Sequence, residues 1–359
     1  MSSWIDQATN IREGEELDLI RLQAYLQEHL EDTPGTLEIE QFPRGYSNLT
    51  YLLKLGERQL VLRRPPVGAK IKSAHDMSRE FRILSQLGKY WDKAPRALLY
   101  CDDESVTGAT FYIMERVEGV ILRPKMPKEM VPKASTMRGT AEGLVDTFVE
   151  LHGLDFEAAG LGELGRPEGY NERQIKGWTK RYFNAKTGEV PELEKSARWL
   201  AEHLPPESGT ALIHNDFKYD NLLLDPKDWT KVIAVLDWEM ATVGDPLMDL
   251  GTSLGYWMNS DDPEIMQQFQ LSPTTLPGNP SRSEIAEWYA RKSGRDVGNV
   301  VYYYVYGMFK IAVIVQQIYY RYQKGLTRDA RFADLHFVVQ MCGATAWQAI
   351  QKNRIDQLF

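Results

Sequence analysis

Asp216, Lys218 and Asn221 lie in one short stretch, His214-Asn215-Asp216-Phe217-Lys218-Tyr219-Asp220-Asn221, and a second carboxylate, Asp237, follows further along. Apolar runs bracket them: Ala211-Leu212-Ile213 before, Leu222-Leu223-Leu224 after, and Val232-Ile233-Ala234-Val235-Leu236 leading into Asp237. This pattern describes a polar loop held between short strands, with the second carboxylate at a strand end. Moving a phosphoryl group from ATP to an alcohol needs a carboxylate that takes the hydroxyl proton, hard oxygen ligands for magnesium and a cation near the phosphate. Asp216 is the candidate base, Asn221 and Asp237 the candidate Mg2+ ligands, and Lys218 the candidate phosphate contact. His214 follows an apolar run and is expected to pack against Trp238 and shape the loop. Asp249 is expected to accept backbone N–H bonds from that loop. Glu239 is a candidate for a second magnesium or a solvent-facing carboxylate.

Such a loop needs a nucleotide lobe in front of it. Leu17, Leu19, Ile20, Leu22, Tyr25, Leu26 and Leu30 predict a helix over 12–30. Strands are predicted over 36–42, 50–55 and 59–63, the last two joined by Gly56-Glu57-Arg58. Between the first two lies Gly45-Tyr46-Ser47-Asn48. Gly45, Ser47 and Asn48 are candidates to meet ATP phosphates, Gly45 by allowing close backbone approach. A helix is predicted over 74–87, ending at Gly88, and it carries Glu80. Arg63 on the third strand and Glu80 form a candidate phosphate-binding ion pair. Further strands are expected over 97–101 and 110–115. The Glu115 carbonyl and the Val117 N–H are the candidate contacts to the adenine edge.

Gly119 marks the domain boundary, giving a strand-rich lobe over 1–118 and a larger lobe over 119–359. Helices are predicted there over 136–152, 172–187, 191–203, 283–293, 297–323 and 331–352, with short strands only around the polar loop, at 210–213, 221–224 and 231–236. The fold class is α+β.

The 359 residues suffice for two domains of ordinary size. A formal net charge of −8 argues against a nucleic-acid surface, which needs a basic face. Cys101 and Cys342 form no metal spacing or disulfide framework, which fits a reducing cytoplasm. The first residues lack a basic start followed by an apolar run, so no signal peptide is visible. The most apolar stretch, 300–320, is broken by Lys310, Gln316 and Gln317, and a core helix is favoured over a membrane span. A homodimer is compatible with the sequence, which does not specify one.

Taken together, these residues resemble the aminoglycoside phosphotransferase and choline kinase family, which shares the protein-kinase-like two-lobe fold. The nearer branch comprises small-molecule phosphotransferases found beside or fused to acyl-CoA dehydrogenases. Gly45-x-Ser47-Asn48-x-Thr50-Tyr51, Val61-Leu62-Arg63-Arg64-Pro65-Pro66 and the run from Leu236-Asp237-Trp238-Glu239 to Gly244-Asp245-Pro246 carry that likeness. So does Gly165-Arg166-Pro167-Glu168-Gly169-Tyr170, with Arg173, Gln174 and Trp178. The resemblance implies ATP, Mg2+ and a small hydroxyl acceptor, with a hydroxy acid or hydroxyacyl-CoA as the implied class. Two departures stand out: Asn215 where much of the family has glycine, and Arg63 where many members have lysine.

The candidate acceptor lobe mixes cations with aromatics. Arg173, Trp178, Lys310 and Arg321 are the candidate substrate contacts, alongside Lys176, Lys180, Arg181 and Tyr302 to Tyr304. Lys310 and Arg321 lie in an apolar helical stretch, where a charge needs a partner. Either a carboxylate of the protein or an anionic acceptor would supply one, and the acceptor is favoured. A non-catalytic nucleotide-binding module, an aminoglycoside or amino-sugar kinase, and a metal-dependent hydrolase built on His214 and Asp216 are the alternatives. The retained Asp216, Asn221 and Asp237 argue against the first. The lack of histidines paired at ligand spacing argues against the last.

Overall fold

The computed structural model describes residues 6–43, 48–66, 76–124, 126, 130–327 and 329–359. In chain order the elements are α1 (Leu19–His29), β1 (Leu37–Gln41), β2 (Leu49–Leu55), β3 (Arg58–Arg64), α2 (Met77–Tyr90), β4 (Ala97–Cys101), α3 (Glu104–Thr107) and β5 (Phe111–Glu115). The larger part follows with α4 (Ala134–His152), α5 (Tyr170–Ala185), α6 (Pro191–Glu202), β6 (Ala211–Ile213), β7 (Leu222–Asp225), β8 (Asp228–Val235) and β9 (Thr242–Gly244). It closes with α7 (Pro246–Tyr256), α8 (Glu264–Gln267), α9 (Arg282–Ser293), α10 (Val300–Gln323) and α11 (Leu335–Lys352). Strands β1 to β5 form one antiparallel sheet in the order β1-β2-β3-β5-β4, and the later strands make two small pairs, β6-β9 and β7-β8. This is the kinase-like α+β architecture.

Alternation along the sheet divides its two faces. Tyr51, Leu53, Leu55, Leu60, Leu62, Phe111 and Ile113 pack with Leu22 and Leu26 of α1. Val61, Tyr112 and Met114 point the other way, into the cluster that holds Ile83, Leu84 and Leu87 of α2 and continues into the helical part. Helix α1 begins only at Leu19, because Asp18 caps it by accepting the Arg21 N–H at 3.1 Å. The sequence expectation of a helix from 12 was therefore too long. Gly88 does not end α2, which runs on to Tyr90. It is the surface on which residues 94–96 lie, since a Cβ there would sit 3.2 Å from the Pro95 carbonyl oxygen and the Arg96 Cα.

Helix α7 and strand β9 were not anticipated. Asp245 caps α7 through the Leu247 N–H at 2.8 Å, with Pro246 in the first turn. Helices α7 and α10 meet backbone to backbone. A Cβ on Gly251 would lie 2.0 Å from the Tyr303 carbonyl oxygen, and one on Gly307 2.0 Å from the Gly251 carbonyl oxygen. That close approach brings Lys310, one turn further along α10, against the loop after β6. Among the described residues no helix is long and apolar enough to cross a membrane.

Candidate active site

The loop between β6 and β7 holds Asp216, Lys218 and Asn221 against the end of β8. Lys218 Nζ donates to Asp216 Oδ2 and lies 4.9 Å from the Tyr256 ring. Asn221 Nδ2 donates to both the main-chain oxygen and Oδ2 of Asp216, each at 2.8 Å. With the amide nitrogen so committed, Asn221 Oδ1 is its remaining ligand atom. Tyr256, at the end of α7, hydrogen-bonds Asp216, and burial together with that carboxylate drives its hydroxyl pKa well above the ordinary value.

Asp237 takes a left-handed backbone conformation, φ 68° and ψ 63°, immediately after β8. Its Oδ1 accepts from Arg63 Nη2 at 3.0 Å, and its side chain remains 32% exposed. Burial pushes its pKa up, but the charges of Arg63 and Lys218 outweigh this and hold it below the ordinary carboxylate value. Arg63 Nη1 reaches Glu80 Oε1 at 2.8 Å, so one guanidinium spans both carboxylates. Glu80 also accepts the Trp238 N–H at 3.2 Å, and burial nevertheless raises its pKa. The charge set therefore joins β3, α2 and the segment after β8.

Does this site suit magnesium? Among the described residues no group of three or more His, Cys, Asp or Glu side chains could hold a metal alone. A magnesium shared with ATP phosphates needs only one or two protein oxygens. An ionised, part-exposed Asp237 and the uncommitted Asn221 Oδ1 meet that requirement.

Asp249 accepts the N–H groups of His214 at 2.6 Å and Asn215 at 2.7 Å, as expected for a loop anchor. His214 packs edge-on to Trp238, ring centroids 4.9 Å apart, and its Nε2 bonds to the Leu236 carbonyl at 2.9 Å. Burial lowers its pKa, so the ring is held neutral. Asn215 stands at φ 68°, which asparagine tolerates and glycine adopts freely.

Of the nucleotide-side candidates, Gly45 and Ser47 lie outside the described residues. Asn48 Nδ2 donates to Glu239 Oε2 at 2.8 Å, and burial with the Asp237 charge pushes the Glu239 carboxyl up to about 8. Glu115 pairs with Leu60 across the sheet, and its N–H donates to Arg96 at 2.9 Å. Val117 lies just beyond that strand, outside regular structure. Arg79 was not singled out in the sequence. It reaches from α2 to the carbonyls of Glu239 at 2.9 Å and Ala241 at 2.5 Å. An arginine beside the ion-pairing glutamate was the available signal.

The acceptor-side candidates separate. Trp178 is buried, with Arg181 Cζ 4.6 Å and Lys310 Nζ 5.9 Å from its ring. Lys310 is only 1% exposed and, among the described residues, enters no ion pair. Its Nζ donates to the Asn215 carbonyl at 2.9 Å and to Asn215 Oδ1 at 2.8 Å. The sequence argument offered a carboxylate or a substrate as its partner; the fold supplies two neutral oxygens instead. Burial pulls its pKa down to about 8. Arg321 is exposed, because α10 has left the core by that turn, so the argument from a buried charge fails there. The Arg173 guanidinium donates to the carbonyls of Arg166 and Glu168, bracing its own loop. Tyr302, Tyr303 and Tyr304 pack in the helical core.

Fold and site define a kinase-like phosphotransferase. The model of the phosphotransferase enzyme family matches residues 38–285, and the chain belongs to that family. Acyl-CoA dehydrogenase family member 10 of Mus musculus is 35% identical over 321 residues, which cover 89% of this chain and 30% of that protein. The chain thus spans less than a third of that relative's length. A solved structure of a candidate aminoglycoside phosphotransferase from Ralstonia eutropha is 29% identical, with a TM-score of 0.79, covering 94% of this chain and 99% of that one. Aminoglycoside phosphotransferase APH(4)-Ia, solved as a ternary complex with ADP and hygromycin B, shares the fold at 16% identity and a TM-score of 0.57, covering 90% of this chain and 96% of that one.

Proposed function

We propose that this protein transfers the γ-phosphoryl group of ATP, with Mg2+, to the hydroxyl of a small anionic metabolite, a hydroxy acid or hydroxyacyl-CoA. The observation that carries the phosphoryl-transfer reading is the meeting of Asp216, Lys218, Asn221 and Asp237, joined through Arg63 to Glu80. Asp216 orients the acceptor hydroxyl and takes its proton as the new bond to phosphorus forms. The ionised Asp237 and Asn221 Oδ1 would hold the magnesium, which draws charge from the phosphate oxygens when bound. Lys218, at the Asp216 carboxylate, stands where it can also meet the transferred phosphate. Arg63 holds the Asp237 carboxylate and, opposite Glu80, places a positive charge beside the phosphates. Gly45, Ser47, Asn48 and the main chain of Glu115 and Val117 complete the nucleotide site in this reading. Residues 1–118 form the nucleotide lobe and 119–359 the catalytic and acceptor lobe.

The anionic acceptor is supported by two things. Arg181 lies over Trp178 and, among the described residues, enters no ion pair. The mouse relative is named as an acyl-CoA dehydrogenase family member. The test is an ATP-dependent phosphorylation screen of hydroxy acids, their CoA esters, amino sugars and aminoglycosides. Phosphorylation of a hydroxy acid or its CoA ester, reduced on the order of 10²–10⁴ in Asp216→Asn with Mg-ATP binding kept, is the expected result. Turnover of polycationic aminoglycosides alone would reject the acceptor class. Near-normal turnover by the Asp216 variant would reject the base.

A further inference from the structure

We infer that Asn215 and Arg79 clamp the segment after Asp237 from two sides and so hold the metal ligand and the base at a fixed separation; this rests on the kinase reading above. The three carbonyls that follow Asp237-Trp238 each receive a donor. Arg79, on α2, takes the outer two, Glu239 at 2.9 Å and Ala241 at 2.5 Å. Asn215 Nδ2, on the catalytic loop, takes the middle one, Met240, at 3.2 Å. Among the described residues Arg79 enters no ion pair, so its fork is directed to these two oxygens.

The clamp is anchored at both ends. Arg79 is the neighbour of Glu80, which pairs with Arg63, which in turn pairs with Asp237. Asp237 is thus steadied through its side chain by Arg63 and through the chain beyond it by Arg79. On the other side Asn215 is pinned by Asp249 at its N–H, 2.7 Å, and by Lys310 at Oδ1, 2.8 Å. Asp216 is the next residue. Glycine could occupy the left-handed backbone of residue 215 and would keep the main-chain carbonyl that Lys310 meets, but it has no side chain to reach Met240 or to give Lys310 its second acceptor. Asparagine at this position therefore does work that its backbone conformation alone does not require, and it makes Lys310 and Arg79 positioning residues rather than substrate contacts.

The experiment is calorimetric titration of ATP into the full chain at stepped Mg2+ concentrations. Asn215→Gly keeps the backbone conformation and removes the donor. We expect it to raise the Mg2+ concentration for half-maximal ATP binding about tenfold, the scale on which groups behind metal ligands act, with metal-free ATP affinity unchanged. Arg79→Met is expected to shift the midpoint in the same direction. The double variant should fall short of the product of the two shifts, because either change releases the same segment. Unchanged midpoints in both single variants, with Asp237→Ala losing its Mg2+ dependence, would overturn the clamp and leave the kinase reading standing. Retained Mg2+ dependence in Asp237→Ala would overturn the metal assignment on which the clamp depends. If Asn215→Gly does not fold, Arg79→Lys carries the same expectation, since lysine keeps the charge but cannot fork to two carbonyls.

Discussion

Replacing Arg63 with methionine is expected to destabilise the protein by about 3–5 kcal/mol at neutral pH, the usual cost of stranding one member of a buried ion pair. The structure sets the case near that range. Arg63 and Glu80 lie 2.8 Å apart with side chains 10% and 1% exposed. Without the guanidinium, Glu80 keeps the Trp238 N–H at 3.2 Å and the neighbouring Tyr112 hydroxyl, both neutral donors. Burial already lifts the Glu80 pKa against the pull of Arg63, and losing Arg63 lifts it further. In the unfolded chain the same carboxyl titrates near its ordinary value, about 4.3. Below that value both states hold the proton, and the part of the deficit that comes from Glu80 vanishes. As pH rises above it the unfolded chain releases the proton and the folded chain keeps it, so stability falls with a slope of up to about 1.4 kcal/mol per pH unit. Urea unfolding followed by circular dichroism at pH 4.5 and pH 8 measures this, with wild type run in parallel. Arg63→Met/Glu80→Gln should recover most of the loss, because a neutral amide removes the stranded charge. A deficit under about 1 kcal/mol at pH 8, one that ignores pH, or a double variant no better than the single, would refute the reasoning.

Two further outcomes are expected. Asp237→Ala should weaken Mg2+-dependent ATP binding more than Asn221→Ala, because it removes an ionised ligand rather than a neutral one; calorimetry with and without magnesium decides, and equal losses would make the charge irrelevant. Burial holds Lys310 near about 8 in the folded chain, against about 10.4 unfolded. Across that window the unfolded chain binds a proton that the folded chain lacks, so wild type should gain stability relative to Lys310→Met as pH rises, by up to about 1.4 kcal/mol per unit. Urea midpoints of both proteins at pH 7.5, 9 and 10 would show it, and a constant difference would place the lysine outside the titrating core.

Much of the fold was legible because hydrophobic period and breakers act locally. The alternation in β2, β3 and β5 and the apolar stripes of α4 and α6 appear in the sequence near where the structure places them. The errors fall where a local signal competes with a tertiary one. Gly88 reads as a helix stop, yet its missing Cβ serves the approach of residues 94–96. Helix α7 was passed over because its buried face runs almost all round, Pro246 to Leu254, and so shows no amphipathic period. Its Asp245 cap and Pro246 were the signals that remained.

The candidate site divides along the same physical line. Asp216, Asn221 and Asp237 could be named as candidates because loop chemistry fixes their spacing along the chain. Arg63 and Glu80 could be paired from sequence because a phosphate-binding cation on the third strand calls for a carboxylate on the helix that follows, and the structure forms that ion pair. Lys310 was misread because sequence shows that a cation lies in an apolar helix but not which oxygens face it. The burial cost was correctly identified, and the fold meets it with a carbonyl and an amide of Asn215. That solution is open only to a chain with a side-chain oxygen at residue 215. The asparagine that departs from the family's glycine and the buried lysine that lacked a partner are therefore one feature. Each was visible alone as an anomaly, and only the contact across α10 and the loop after β6 shows that each accounts for the other.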